Sequence, residues 1–86
     1  MVNNNYKKIN IETPTLVIST NDFIASKNDQ LNIRENEFLV VTDWNYKEGW
    51  VYGHRRSKEE EKGIFPKIFI KICEDDRNKD GKNQIN

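Results

Sequence analysis

Few side chains in this sequence could carry bond-making chemistry. Its one histidine, His54, lies between Gly53 and Arg55, with no cysteine or serine nucleophile at a spacing that would let it act as a base. Its one cysteine, Cys73, follows the apolar Ile70 and Ile72 and reads as a small hydrophobe rather than a reactive thiol. One cysteine cannot form an internal disulfide, and one cysteine with one histidine cannot close a structural zinc site. The glycines are scattered singly, so there is no Gly-rich loop to cradle a phosphate. These residues predict no enzyme, no metal and no cofactor. Binding chemistry remains. Trp50 stands between Gly49 and Val51, and strand alternation would put its ring on the face opposite Val51. An exposed indole of that kind can wall a groove for a polyproline II segment, which is already extended and loses little entropy on binding.

The elements that must position such a groove have to be small. With 86 residues the chain has room for one domain, whose stability should be a few kcal/mol at most. Lys plus Arg total 14 and Asp plus Glu total 14, so the net charge of +0 supplies no field to hold a polyanion, and nucleic acid is not an expected partner. No apolar run approaches the roughly 18 residues of a spanning helix, and the first residues lack the apolar stretch of a signal peptide. The expected location is the cytoplasm, with the cell cortex as a variant of it.

Residues 1–13, rich in Asn and Lys, and residues 74–86, with almost nothing apolar, read as disordered polar tails around a domain at 14–73. Between them the apolar residues fall into clusters too short for helices: Leu16-Val17-Ile18, Phe23-Ile24-Ala25, Phe38-Leu39-Val40-Val41, Trp50-Val51-Tyr52, Ile64-Phe65 and Ile68-Phe69-Ile70. Leu31-Asn32-Ile33 and Ile70-Lys71-Ile72 alternate with period two. The clusters are rich in β-branched and aromatic residues and bounded by Asn, Asp and Gly, which predicts a small all-β barrel or sandwich. Residues 55–62, all polar, have no apolar face for a helix and read as a solvated hairpin tip closed by Gly63.

From Ser19 to Ile72 the order of these features resembles the SH3 domain. Ser19-Thr20-Asn21-Asp22-Phe23-Ile24-Ala25 stands where that family has Ala-Leu-Tyr-Asp-Tyr-x-Ala, and Asp29-Gln30-Leu31-Asn32-Ile33 where it has Asp-Glu-Leu-Ser-Phe. Asn36-Glu37-Phe38-Leu39-Val40-Val41 replaces Gly-Asp-x-Ile-x-Val. Gly49-Trp50-Val51-Tyr52-Gly53 matches the Trp-Trp-x-Gly strand, and Gly63-Ile64-Phe65-Pro66-Lys67-Ile68-Phe69-Ile70 matches Gly-Leu-Phe-Pro-Ser-Asn-Tyr-Val. The n-Src segment Asp43-Trp44-Asn45-Tyr46-Lys47-Glu48 and the charged distal loop look most like SH3 domains of fungal Boi-type polarity scaffolds, with Dock-type exchange factors as a second comparison.

The resemblance implies an SH3-like five-stranded barrel with strands near residues 16–20, 37–42, 49–55, 63–66 and 70–73. A long RT loop from about 21 to 35 and one 3-10 turn near 67–69 complete it. The implied core is Ser19, Ala25, Leu31, Ile33, Leu39, Val41, Val51, Gly53, Phe65 and Ile70. By the same resemblance Phe23, Trp50, Pro66 and Phe69 line the peptide grooves, and Asp29, Glu48 and Asp43 flank the pocket that takes a basic ligand residue. Trp44 and Tyr46, as loop aromatics, either touch the ligand as part of a specificity loop or cap the barrel end.

Departures from the family pattern bear on affinity. Asn21 and Phe23 replace its two signature tyrosines, Phe69 its closing tyrosine, Ile68 the preceding asparagine and Gln30 its RT-loop acid. The expected function is therefore a monomeric interaction module that binds proline-containing or basic extended segments of signalling or cytoskeletal proteins. Docking to a folded or intramolecular surface through a non-PxxP site is the alternative, and a small nucleic-acid-binding barrel the remaining one.

Overall fold

The computed structural model describes residues 11–73. The expected tail at 74–86 and most of that at 1–13 lie outside the described residues. Alternating inward residues build five strands: β1 (Thr15–Ser19), β2 (Phe38–Lys47), β3 (Trp50–Arg55), β4 (Lys62–Pro66) and β5 (Ile70–Ile72), with a 3-10 turn at Lys67–Phe69 before β5. They form one antiparallel sheet in the order β4-β3-β2-β1-β5, the all-β architecture expected. Val17, Leu39, Val41, Val51 and Phe65 project from one face and are fully buried, and the long connection between β1 and β2 adds Leu31 and Ile33 to the same core.

Gly53 shows how closely the strands approach. A Cβ at that position would lie 2.1 Å from the carbonyl oxygen of Val40, inside backbone that cannot move aside, so only glycine fits there. Asn36, in the left-handed region at φ 65°, turns the chain back into β2, a conformation that Asn tolerates better than most residues. Ser19 ties that turn to β1. Its buried hydroxyl donates to the carbonyl of Arg34 and accepts the N–H of Glu37 at 2.9 Å, while its carbonyl accepts the N–H of Asn36 at 2.9 Å.

The core differs from expectation at five residues, Trp44 among them. Val17 and Ile64 are buried and were not foreseen. Ala25, in the connection, and Ile70, on the edge strand β5 with a partner on one side only, are half-buried rather than core. Ile11 packs against the core.

The largest correction concerns Trp44. Pairing of β2 with β3 passes from Val41↔Gly53 to Asp43↔Tyr52 and then to Lys47↔Trp50, with surplus residues on β2 at both steps. Such bulges reset which residues face inward. Strand β2 therefore runs to Lys47 instead of ending near 42, and the indole of Trp44, 6% exposed, turns into the core. Its Nε1 donates to Thr15 Oγ1 at 3.0 Å. The n-Src segment is thus a β-hairpin arm rather than a loop, closed at Glu48-Gly49 with Gly49 at φ 85°.

The distal hairpin is also more ordered than a solvated tip. Gly63 belongs to β4, and the turn is closed by the N–H of Arg55 on Glu61 O at 3.0 Å. The guanidinium of Arg55 pairs with Glu37, donates from Nε to Glu61 at 2.5 Å and from Nη2 to Asn32 O at 2.7 Å. Burial alone would lower the pKa of Arg55, but the hydrogen bonds and charges of Glu61 and Glu37 outweigh it and hold the group above its ordinary value. One arginine thereby joins the distal hairpin, the turn before β2 and the RT loop. Arg56 lies over the ring of Phe38, 4.8 Å from its centroid.

Candidate functional site

The surface that gathers the predicted residues starts in the RT loop. Phe23 and Ile33 exchange backbone hydrogen bonds, each 2.9 Å, and Ile33 is buried, so the phenylalanine ring is pinned against the core. The loop is held by its own amides and acids. Gln30 Oε1 accepts the N–H of Ser26 at 2.8 Å and of Lys27 at 3.2 Å, Asn32 Oδ1 that of Ala25 at 2.7 Å, and Asp22 Oδ1 that of Glu35 at 2.8 Å. At its far end the loop docks on β4, where Leu31 donates to Ile64 O and Ile64 to Asp29 O. Gln30, which stands where the resemblance expects an acid facing the ligand, thus serves the loop itself.

Trp50 opens β3 with Val51 and Gly53 directed inward, which leaves Trp50 and Tyr52 on the outer face. Pro66 is its register partner on β4. The 3-10 turn then brings Phe69 beside them, secured by Lys67 N–H on Gly49 O at 2.9 Å and Thr20 N–H on Phe69 O at 2.7 Å. Phe23 meets Trp50 edge-on with centroids 5.7 Å apart, and Phe69 at 6.4 Å. Phe23, Trp50, Pro66 and Phe69, all half-buried, therefore form one ridged apolar surface. Ile68, 80% exposed, stands on the turn between Pro66 and Phe69.

The charged candidates lie at the margins. Asp29 is exposed on the RT loop, and Glu48 is exposed in the turn just before Gly49 and Trp50. Asp43 is exposed on β2, where it accepts the N–H of Asn45 at 2.9 Å. Tyr46 is stacked on Tyr52, at 6.1 Å and 25° between planes. Trp44 is removed from the surface, for the bulge described above makes it a core residue. Tyr52 and Gln30 were missed as contributors; the strand parity of Trp50-Val51-Tyr52 could have placed the first on the outer face, and nothing in the sequence shows the second folding back on its loop. A separate cleft of about 560 Å³ on the RT loop is lined by Asp22, Phe23, Ile24, Asn32, Ile33, Arg34 and Glu35.

His54 Nδ1 lies 2.8 Å from the carbonyl of Arg55, a local contact, and Cys73 is half-buried. Among the described residues no three His, Cys, Asp or Glu side chains converge in a way that could hold a metal ion.

The fold is similar to that of solved SH3 domains. The SH3 domain of yeast Nbp2 superposes with a TM-score of 0.65 at 17% identity, covering 70% of this chain and 98% of that one. The same yeast domain in complex with a peptide from Ste20p gives 0.67 at 16% identity, over 73% of this chain and 91% of that one. The C-terminal SH3 domain of myosin IB from Entamoeba histolytica, bound to a peptide of the exchange factor EhFP10, gives 0.59 at 16% identity, over 72% and 97%. A family model described as "Variant SH3 domain" matches residues 20–71, and since that span holds the RT loop, the arm, both hairpins and the 3-10 turn, the chain belongs to the SH3 domain family.

Proposed function

We propose that this domain binds extended proline-containing or basic segments of signalling or cytoskeletal proteins on the Phe23–Trp50–Pro66–Phe69 surface. The observation that carries the reading is the meeting of three rings and Pro66 on one half-buried ridge, although the residues come from the RT loop, β3, β4 and the 3-10 turn. Ridges between rings accept proline side chains, and a preformed polyproline II segment costs little to seat. Peptide complexes of the yeast and Entamoeba domains support the reading by likeness of fold. SH3 domains are interaction modules, and the groups here suit contact rather than bond cleavage. Docking to a folded surface is the second reading, favoured by the two strongly exposed aliphatics Ile24, at 77%, and Ile68, at 80%.

Directional contacts are few on the ridge. Asn21 and Ile68 stand where the family has a tyrosine and an asparagine, and each net hydrogen bond lost is worth about 0.5–1.5 kcal/mol. Two losses weaken binding of a generic PxxP peptide about 5- to 150-fold. The double variant Asn21→Tyr with Ile68→Asn is expected to tighten that binding in calorimetric titration. Equal or weaker binding would show that these two positions do not set ligand preference, and failure of a whole PxxP library to bind the wild type would favour the folded-surface reading.

A further inference from the structure

The ridge takes up one end of β3 and leaves the outer side of β1 and β2 unused. Leu16 and Ile18 alternate with the buried Val17 and Ser19, and Phe38 and Val40 with the buried Leu39 and Val41, so these four project outward. They stand in register, Leu16 with Val40 and Ile18 with Phe38, as a block about 5 Å across the strands and about 7 Å along them. Leu16, Ile18 and Val40 are half-buried, and Phe38 is 42% exposed. Cations border the block. Lys71 is the register partner of Ile18 on β5, Arg56 lies over Phe38, and beyond Val40 come its partner His54 and then Lys62. Arg56, Lys62 and Lys71 make no ion pair with any described residue. Glu37, which precedes Phe38, and Glu61, which precedes Lys62, are held by Arg55 instead. Asp43 enters β2 only past the first bulge, towards the arm.

We propose that this face is a second docking surface, taken by an amphipathic helix of a partner protein that carries apolar residues in one stripe and Glu or Asp beside it. Helix residues three or four apart have Cβ atoms about 5–6 Å apart, which matches the spacing of the block, and carboxylates flanking such a stripe reach the three unpaired cations. A second copy of the chain does not fit, because contact of face with face would set the cations of one copy against those of the other. Nor does a bilayer. Three of the four apolar side chains lie half-buried in the sheet, whereas an interfacial anchor puts its apolar face about 5–10 Å into the lipid. His54 stands about 13 Å along β3 from Trp50, which leaves room for the helix and a ridge-bound segment together.

The test titrates the isotope-labelled full chain with a fifteen-residue helical peptide whose leucine stripe is flanked by Glu, with the same peptide flanked by Lys, and with phosphatidylserine vesicles. The Glu form is expected to shift the amides of Leu16, Ile18, Phe38 and Val40 and to leave the Trp50 indole unmoved, and the Lys form to shift none of them. The double variant Arg56→Glu with Lys71→Glu, both on exposed side chains, should weaken binding of the Glu form about 2- to 30-fold with an unchanged thermal melt. Phe38→Ser, which keeps the cations, guards against a folding effect and should weaken that binding as well. Equal shifts by the two peptides, no shift by either, or full affinity in both variants overturns the proposal. A response to vesicles alone makes the face a membrane contact and overturns it too. Displacement of the Glu form by a proline-rich peptide would show one shared site, which overturns the second surface and leaves the ridge reading standing.

Discussion

Replacing Trp50 by alanine should reduce affinity for any groove-bound peptide at least about 30-fold while the domain stays folded. The indole sits at the centre of the ridge, between Phe23, which touches it edge-on at 5.7 Å, and Pro66, its register partner. Aromatic anchors in that position commonly carry 2 kcal/mol or more, roughly the hot-spot threshold, which is the quoted factor in Kd. The cost to folding is small because the ring is only half-buried; loss of the contact with Phe23 accounts for about 0.5–1.5 kcal/mol. Titration calorimetry beside a thermal melt separates the two effects. Unchanged affinity would mean that the partner uses another face.

Trp44→Ala should do the reverse and unfold the chain. That indole is 6% exposed in the core beside Val17, Leu39 and Val41, and its N–H is satisfied by Thr15. Truncating a buried tryptophan costs about 3–5 kcal/mol, comparable with the whole stability of a domain this small. Trp44→Phe, which keeps part of the packing and loses the donor and one ring, should fall between wild type and Trp44→Ala in urea unfolding. A cooperative transition at the wild-type midpoint in Trp44→Ala would show that the arm is not folded into the core. The two tryptophans, six residues apart, thus serve different ends: one holds the barrel together and the other is available to a ligand.

Their difference also shows where the sequence is informative. The family resemblance carried by the Gly49-Trp50 and Phe65-Pro66 landmarks sufficed to place β1, β3, β4 and β5 within a residue and the 3-10 turn at 67–69, while β2 runs five residues past its expected end. Strand alternation sufficed for the face of Trp50, because β3 pairs with β4 in unbroken register. The same rule fails at Trp44. Surplus residues in β2 shift the parity, and a bulge is a property of two paired strands that one strand's pattern does not display. Ile70 follows an inward pattern but lies on the edge strand, where it is covered only in part. Arg55 looks like one of several basic residues in a charged run, yet it alone reaches Glu37, Glu61 and Asn32, partners far apart in the chain. Gln30 was legible only as a missing acid, since its three-fold role in holding the RT loop depends on a turn that exists only in the folded loop.

The central claim is that ligand lies along the ring-lined ridge. Chemical-shift mapping tests it most directly: an isotope-labelled domain is titrated with a proline-rich peptide, and backbone amides and indole N–H signals are followed. The largest changes are predicted at the Trp50 indole and at the amides of Phe23, Gly49, Lys67 and Phe69, with the buried Trp44 indole little affected. Changes concentrated instead on the outer face of β1 and β2, at Leu16, Ile18, Phe38 and Val40, with the Trp50 indole unmoved, would contradict it.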